Sequence, residues 1–467
     1  MSPQPAGRKA ERGMALLLGA LLGLLIIYQT IPWDIFTPYD PTAPQGNQMS
    51  ANSLSRTIKL ALLGIGAVIV LRRFSVAKQL FTHINPFFRL FLFLVPLSYL
   101  WSISPSDTMA RYMSILTSVS VCLAFCVAGW HPRRFQNVLR PTITLLLLGS
   151  VVFGLMAPDL AIEHGEGTLK NSWHGLTAHK NLFGQLATYG VIFWLHAGLT
   201  KQVRPWQSLC GYLLGFTCGL LSRSSTSMMA TLSVSLFMTM MLRSPPSMRR
   251  YMPFIVAAFA TIVLTYAIAV LNLVPGLGML LEPIAAITGK DMTFSNRSEI
   301  WRIIKEHIQL SPLLGSGYGA YWIGPVPWSP SFTFMGQMFF YPTESHNGYL
   351  EIVNDLGYLG LLCLGGMLFM YVRQSLSLLK TDRPQAVLFL GFFFQQAIVN
   401  LSESCWLVIN SGFVFSVTTM AMLSMARALM DRDLQATRPR VGIRPAPLRR
   451  VPTSANGLAA ARLSRRR

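Results

Sequence analysis

Three side chains stand out in this 467-residue chain for the chemistry they could do: His346, Arg297 and Arg223. His346 lies in Tyr341-Pro-Thr-Glu-Ser-His-Asn-Gly-Tyr349, directly ahead of a long apolar block. The positive end of a helix disfavours an imidazolium there, so the expectation is a neutral ring able to act as a general base. The alternative is a capping histidine without chemistry. Glu344 and Glu351 flank it, and neither spacing decides which one orients the ring. Arg297 falls in Phe294-Ser-Asn-Arg-Ser-Glu-Ile-Trp301, where Asn296 and Glu299 have the spacing of a capping box and a helix is expected over 299–310. Free N–H groups of a first turn beside a guanidinium make an anion site. The alternative is an arginine that only solvates an amphipathic helix. Arg223 occupies the short turn Leu221-Ser-Arg-Ser-Ser-Thr-Ser227 between two apolar blocks. It either snorkels to the interface or holds an anion among hydroxyl donors.

Two further polar segments interrupt the apolar pattern. Trp173-His-Gly-Leu-Thr-Ala-His-Lys-Asn-Leu-Phe-Gly184 offers His179 and Lys180, the latter as added positive charge for a phosphate. Asn400-Leu-Ser-Glu-Ser-Cys405 offers Glu403. His83, His131, His164, His196 and His307 carry no motif and are set aside. Six cysteines, most of them inside apolar spans, lack the His or Cys partners of a metal site; they read as small packing residues. No metal and no cofactor is expected.

The elements that must position these groups are membrane spans. The chain is 52% hydrophobic and only 12% charged, which excludes an ordinary soluble domain. The expected fold is all-α, a polytopic helical bundle of about twelve spans with one large periplasmic loop. The intervals are 14–31, 57–71, 87–101, 109–129, 141–157, 181–199, 206–221, 226–242, 251–273, 349–371, 386–401 and 406–426. The run after Arg8, Lys9 and Arg12 lacks a small-residue cleavage site and reads as an uncleaved first span. The division is 1–273 as an N-terminal membrane region, 274–348 as the large loop, 349–426 as a C-terminal membrane region and 427–467 as a disordered basic tail.

The net charge of +21 is concentrated in alternate loops and the tail. It therefore reports orientation, with both termini cytoplasmic, rather than nucleic-acid binding. All four polar clusters then face the outer side, together with Asp34, Asp40, Glu163 and Glu166. Trp33, Trp101, Trp130, Trp206 and Trp406 fall near span ends, as interface anchors do. The tail should lie against the anionic inner leaflet.

A basic pocket at the outer membrane surface with a neutral histidine suits transfer from a lipid-linked pyrophosphate. Cations clamp the charge that develops on the leaving group, and the base takes a proton from an incoming sugar hydroxyl. With no nucleotide outside the membrane, the lipid diphosphate would supply the driving force.

The motifs, taken in order, resemble the O-antigen ligase and O-antigen polymerase superfamily of bacterial membrane glycosyltransferases. The similar pieces are His179-Lys-Asn-Leu-Phe-Gly184, Leu221-Ser-Arg-Ser-Ser225, Asn296-Arg297 through Trp301, and Pro312-Leu-Leu-Gly-Ser-Gly-Tyr318. Ser345-His-Asn347-Gly-Tyr-Leu-Glu351 and Leu356-Gly-Tyr-Leu-Gly360 complete the set. Members often carry Gly where Asn296 stands. The resemblance implies a glycan donor on undecaprenyl diphosphate, with His346 activating the acceptor and Arg223 and Arg297 holding the diphosphate. It also implies metal-independent transfer with inversion, in the bacterial inner membrane.

Within the superfamily, polymerisation of exopolysaccharide or O-antigen repeat units is favoured over ligation to lipid A-core. Partners would be the lipid-linked donor, an acceptor glycan or lipid A-core, membrane lipids, and export or chain-length machinery. From other classes, a lipid-glycan flippase remains an alternative, as does a purely structural assembly partner. The unequal halves and the charges gathered at one face argue against transport.

Overall fold

The computed structural model describes residues 5–36, 53–127, 132–163, 170–270, 297–338 and 341–437. Helices are α1 (Pro5–Thr30), α2 (Ser53–Arg72), α3 (Phe74–His83), α4 (Pro86–Leu97), α5 (Pro105–Val127), α6 (Pro132–Met156) and the single turn α7 (Pro158–Ala161). Then follow α8 (Lys180–Leu199), α9 (Pro205–Leu221), α10 (Ser225–Arg243), α11 (Met252–Val270), α12 (Arg297–Ile308), α13 (Thr333–Gln337), α14 (Gly348–Leu378), α15 (Arg383–Val399) and α16 (Ser411–Thr437). A two-residue ladder, β1 (Ile162–Glu163) with β2 (Ser172–Trp173), is antiparallel. Most of the expected loop start, 274–296 with the Asn296 cap, lies outside the described residues, as do Asp40, Trp130, Glu166 and the tail beyond 437.

Apolar blocks become helices because a backbone in lipid can satisfy its polar groups only within itself. Their starts are written locally: proline opens α4, α5, α6 and α9, where its missing N–H costs nothing. Asn85 Oδ1 accepts from Phe87 N at 3.1 Å, and Asp382 Oδ1 from Gln385 N at 3.1 Å. Each expected interval holds a helix, yet among the described residues eight helices are long and apolar enough to cross a membrane. A ninth arises if α3 and α4, bent by 102°, form one broken span. The capped proline start at Asn85-Pro86 forces that bend, so the interval at 87–101 is half of a bent pair rather than a straight span. Helices α9 and α15 have 17 residues each, which falls just short at about 1.5 Å per residue.

The main core joins α6, α8, α15 and α16 through rings: Phe135 lies 5.9–6.2 Å from Phe193, Phe389, Phe392 and Phe415. A second core belongs to the long loop. Helix α12 buries Ile300, Trp301, Ile303, Ile304 and Ile308 against Tyr321, Trp322, Phe334 and Tyr341, and against Leu350 and Val353 of α14. The apolar stripe of α12 is thereby buried within the protein.

Helix α14 is interrupted at Gly357, whose φ of 63° lies outside helical space. The break is sealed by the Gly-rich loop before it. Tyr358 N and Leu359 N donate to the carbonyls of Pro312 and Leu313, while Ser316 N and Gly317 N donate to those of Asn354 and Asp355. Asp355 Oδ2 also accepts from Gly319 N at 2.8 Å. The approach is backbone to backbone: a Cβ on Gly357 would stand 2.2 Å from the Leu313 carbonyl carbon. These two motifs thus lock the loop onto the start of α14.

Candidate active site

Chain direction brings the site together at the start of α14. Asn347 caps it, its Oδ1 accepting from Tyr349 N and Leu350 N at 3.1 and 3.0 Å. His346 precedes the cap, with φ of 50°. Left-handed backbone is rare for a non-glycine residue and gathers at functional positions. Arg223 has the same feature, with φ of 51°. Glu351 does not touch the His346 ring. Its Oε2 accepts from Ser345 N at 2.9 Å and its Oε1 from Trp322 Nε1 at 2.8 Å, so it fixes the backbone that carries the histidine. Trp301 Nε1 donates to the Ser345 carbonyl at 2.9 Å, tying α12 to the same point.

The segment between α15 and α16 forms the floor. Residues 401–405 are buried, which loop backbone tolerates only when its polar groups are met. Asn400 does much of this: its Oδ1 accepts from Cys405 N and Trp406 N, and its carbonyl from Gly348 N at 2.9 Å. Trp406 is consequently 3% exposed and meets Tyr349 edge-on; it is no interface anchor, unlike the exposed Trp33 and Trp206.

Glu403, on that floor, gathers what the chain keeps apart. Its Oε1 accepts from Arg297 Nη2 at 2.8 Å and from Asn181 Nδ2 at 2.6 Å, and its Oε2 lies 3.7 Å from His346 Nδ1. Arg297 Nη1 also donates to the Ser402 carbonyl. Glu344 Oε1 stands 3.0 Å from His346 Nδ1, close but not aligned as a hydrogen bond. Arg297, His346 and Glu344 side chains keep 17%, 23% and 28% exposure, so the cluster opens outward from a buried carboxylate.

These charges reverse one expectation. Burial lowers the His346 pKa, but Glu344 and Glu403 outweigh it and raise the group from 6.5 to about 9. The helix start does not keep this ring neutral, because two carboxylates beside Nδ1 dominate over a partial dipole charge. For Glu403, burial pulls upward but Arg297 and His346 hold it well below the ordinary carboxylate range. Burial raises Glu344, with His346 partly offsetting it.

His179 caps α8, accepting from Asn181 N at 3.3 Å. Burial lowers its pKa, and it senses Glu163, Glu403 and His346. Lys180 is buried, with its backbone N–H on Glu163 Oε1 at 3.0 Å. Arg223 is not on Glu403: its Nη1 donates to the Lys170 carbonyl at 2.8 Å on the exposed side of its turn. That turn still borders the site, since Ser402 Oγ donates to Thr226 Oγ1 at 2.8 Å. Sequence reasoning did not single out Asn181, Asn400 or Ser402 as site residues. Asn181 stood inside the His179-Lys-Asn motif, and only the pairing with Glu403 gives it a task.

The donor atoms of Glu344, His346 and Glu403 lie within 4.8 Å of one another, a spacing a divalent cation could bridge. Arg297 already neutralises Glu403, whose Oε1 is taken up by Arg297 and Asn181. The donor set therefore fits an ion-pair network better than a metal centre.

Residues 210–365 match the family described as O-antigen ligase. The matched region contains Arg223, Arg297, Glu344, His346 and the broken start of α14, and leaves out Asn181 and Glu403. The exopolysaccharide production protein ExoQ of Rhizobium meliloti strain 1021 is 27% identical over 319 residues, covering 64% of this chain and 68% of ExoQ. Helices fit to cross a membrane, the ordered motifs and these two similarities support a likeness to the O-antigen ligase and polymerase-like superfamily.

Proposed function

We propose that this protein is a membrane glycosyltransferase that moves a glycan from undecaprenyl diphosphate to an acceptor sugar hydroxyl at the periplasmic face, polymerising exopolysaccharide repeat units. The observation that carries the reading is Glu403, which bonds Arg297 while lying beside His346. It sets a phosphate-binding cation and a base within one cluster, as the transfer requires.

Because Nδ1 faces Glu344 and Glu403, Nε2 is the nitrogen left for the acceptor. The acceptor oxygen bonds to the anomeric carbon as its proton passes to Nε2. The bond from that carbon to the phosphate oxygen breaks, its electron pair leaving on the lipid diphosphate. Single displacement inverts the carbon. The two carboxylates stabilise the imidazolium as it forms, and Arg297, with the buried Lys180 and with Arg223 nearer the rim, takes up the leaving charge. No step calls on a metal.

The orientation that goes with this reading has both termini cytoplasmic in the inner membrane, with 274–348 as the periplasmic loop. The name of ExoQ, an exopolysaccharide production protein, favours exopolysaccharide as the product over ligation to lipid A-core.

The test uses purified protein, a synthetic undecaprenyl-diphosphate oligosaccharide and two separate acceptors, the lipid-linked repeat unit and lipid A-core. A glycan ladder on the first alone, lost in His346→Ala and Arg297→Ala, is the expected result. A single transfer to lipid A-core would make it a ligase. Unchanged glycan synthesis in cells carrying His346→Ala would sink the catalytic assignment.

A further inference from the structure

The long loop presents exposed apolar side chains beside a spanning helix. Directly after α12, Leu310 is 80% exposed and Leu313 is 69% exposed, while the apolar stripe of α12 itself is spent on the protein. These leucines are not at a loop tip in water. Pro312 and Leu313 give their carbonyls to Tyr358 and Leu359 of α14, so the segment lies flat against the break in that helix. Around it the neighbouring surface is apolar too: Tyr358 is 54%, Leu362 69%, Tyr99 45% and Leu100 76% exposed. Trp101 Nε1 donates to the Leu314 carbonyl at 2.9 Å, which joins the end of α4 to the same strip.

Depth follows from helix length. From Tyr358 to Leu378, α14 rises roughly 30 Å, about the thickness of the hydrocarbon core. A break at Gly357 therefore leaves enough helix below it to span the core, with the exposed Arg373 toward the far interface. Above it Glu351, Asn354 and Asp355 are buried in protein, and below it Leu362 and Phe369 are exposed.

We propose that Leu310 and Leu313 are a membrane anchor, inserted at the boundary between headgroups and acyl chains of the leaflet on the side of the site. The surface is continuous with the lipid-facing wall of a spanning helix, and its occupant is the bilayer. Irregular backbone is tolerated at this depth because the loop and the broken helix satisfy each other's hydrogen bonds. The anchor fixes the height of α12 and hence of Arg297 at its other end. If the transfer reaction above is right, that is the height at which a lipid diphosphate presents its charge, but the anchor does not depend on that reading.

The experiment is photolabelling of the unmodified full chain in nanodiscs, using a phospholipid with a diazirine on its acyl chain, followed by peptide mapping. Peptides covering 358–362 are the internal standard for lipid contact, and the charged face of α12, with Glu299, Arg302 and Glu306, is the standard for water. The expected result is labelling of 309–314 comparable to that of 358–362. Labelling of 309–314 no higher than that of α12 would overturn the proposal. Oxygen against nickel-chelate accessibility of spin labels at Leu310→Cys and Leu313→Cys, with Cys210→Ser, gives the independent second measurement. Oxygen preference supports the anchor, and nickel access at both positions overturns it.

Discussion

Replacing Glu344 by glutamine removes the closest charge from the His346 ring while keeping its size. In the native site two carboxylates overcome burial and carry the ring from 6.5 to about 9, which corresponds to roughly 3 kcal/mol in favour of the imidazolium. Glu344 stands at 3.0 Å and Glu403 at 3.7 Å, and Glu403 already shares its charge with Arg297. Glu344 should therefore supply at least half of the effect, so that Glu344→Gln lowers the His346 pKa by about 1–2 units. A general base must be neutral before it acts. The rate of the wild type should rise with pH with a midpoint near 9, whereas Glu344→Gln should show its midpoint at lower pH. The plateau of the variant should itself be lower, since a weaker base takes the hydroxyl proton less readily. The assay is the initial rate of glycan transfer in nanodiscs from pH 6 to 10, at low donor concentration so that the free enzyme is reported. An unchanged midpoint, in a variant still dependent on His346, would refute the role assigned to Glu344.

Linkage gives the same group a stability signature: the contribution of His346 is complete below pH 6.5 and is lost as pH rises through about 9, and a wild-type Tm that falls over this window where His346→Gln does not would register it. Glu403→Ala leaves Arg297 and Asn181 unpaired beside buried backbone, and should cost roughly 3–5 kcal/mol, read as a lowered Tm. Glu403→Gln keeps an acceptor for Asn181 but not the counter-charge of Arg297, so its Tm should lie between those of the wild type and Glu403→Ala. Gly357→Ala forces a methyl group into the Leu313 carbonyl at positive φ, so the loop should loosen by about 1–3 kcal/mol and 311–319 should become sensitive to protease. Chelation by EDTA should leave the transfer rate unchanged; loss restored by magnesium or manganese, and abolished in Glu344→Gln, would instead make Glu344, His346 and Glu403 a cation site.

Much of the architecture was legible without coordinates because the bilayer imposes a one-dimensional rule. Blocks of apolar residues must be helical, and 14–31, 226–242 and 349–371 could be located by composition alone. Cap signals are equally local, so the start of α14 at Asn347 and the proline starts of α4 and α9 were written in a few adjacent residues. Composition could not say that α3 and α4 bend by 102°, or that α9 and α15 stop at 17 residues, since hydropathy does not encode helix direction or end.

The candidate site divides in the same way. His346, Arg297, Glu344 and Glu403 could be nominated from residue type, since charged groups are costly among apolar spans and tend to have a task there. Their mutual arrangement could not, because electrostatics depends on distance and the partners are far apart in the chain. Glu403 lies 106 residues from Arg297 and Asn181 lies 222 residues from Glu403, yet they share one carboxylate oxygen. The charge bias of His346 was inverted for that reason: sequence shows the nearby helix start and leaves open which flanking glutamate meets the ring, whereas folding sets Glu344 at 3.0 Å and brings Glu403 to 3.7 Å. The Gly-rich loop and the Leu356-Gly-Tyr-Leu-Gly360 motif looked like separate signals, and only packing makes them the two sides of one broken helix. Sequence by itself determined that the chain is built from apolar helices and which residues carry charge; tertiary structure decided which charges meet, because pKa and ion pairing follow proximity in space rather than order along the chain.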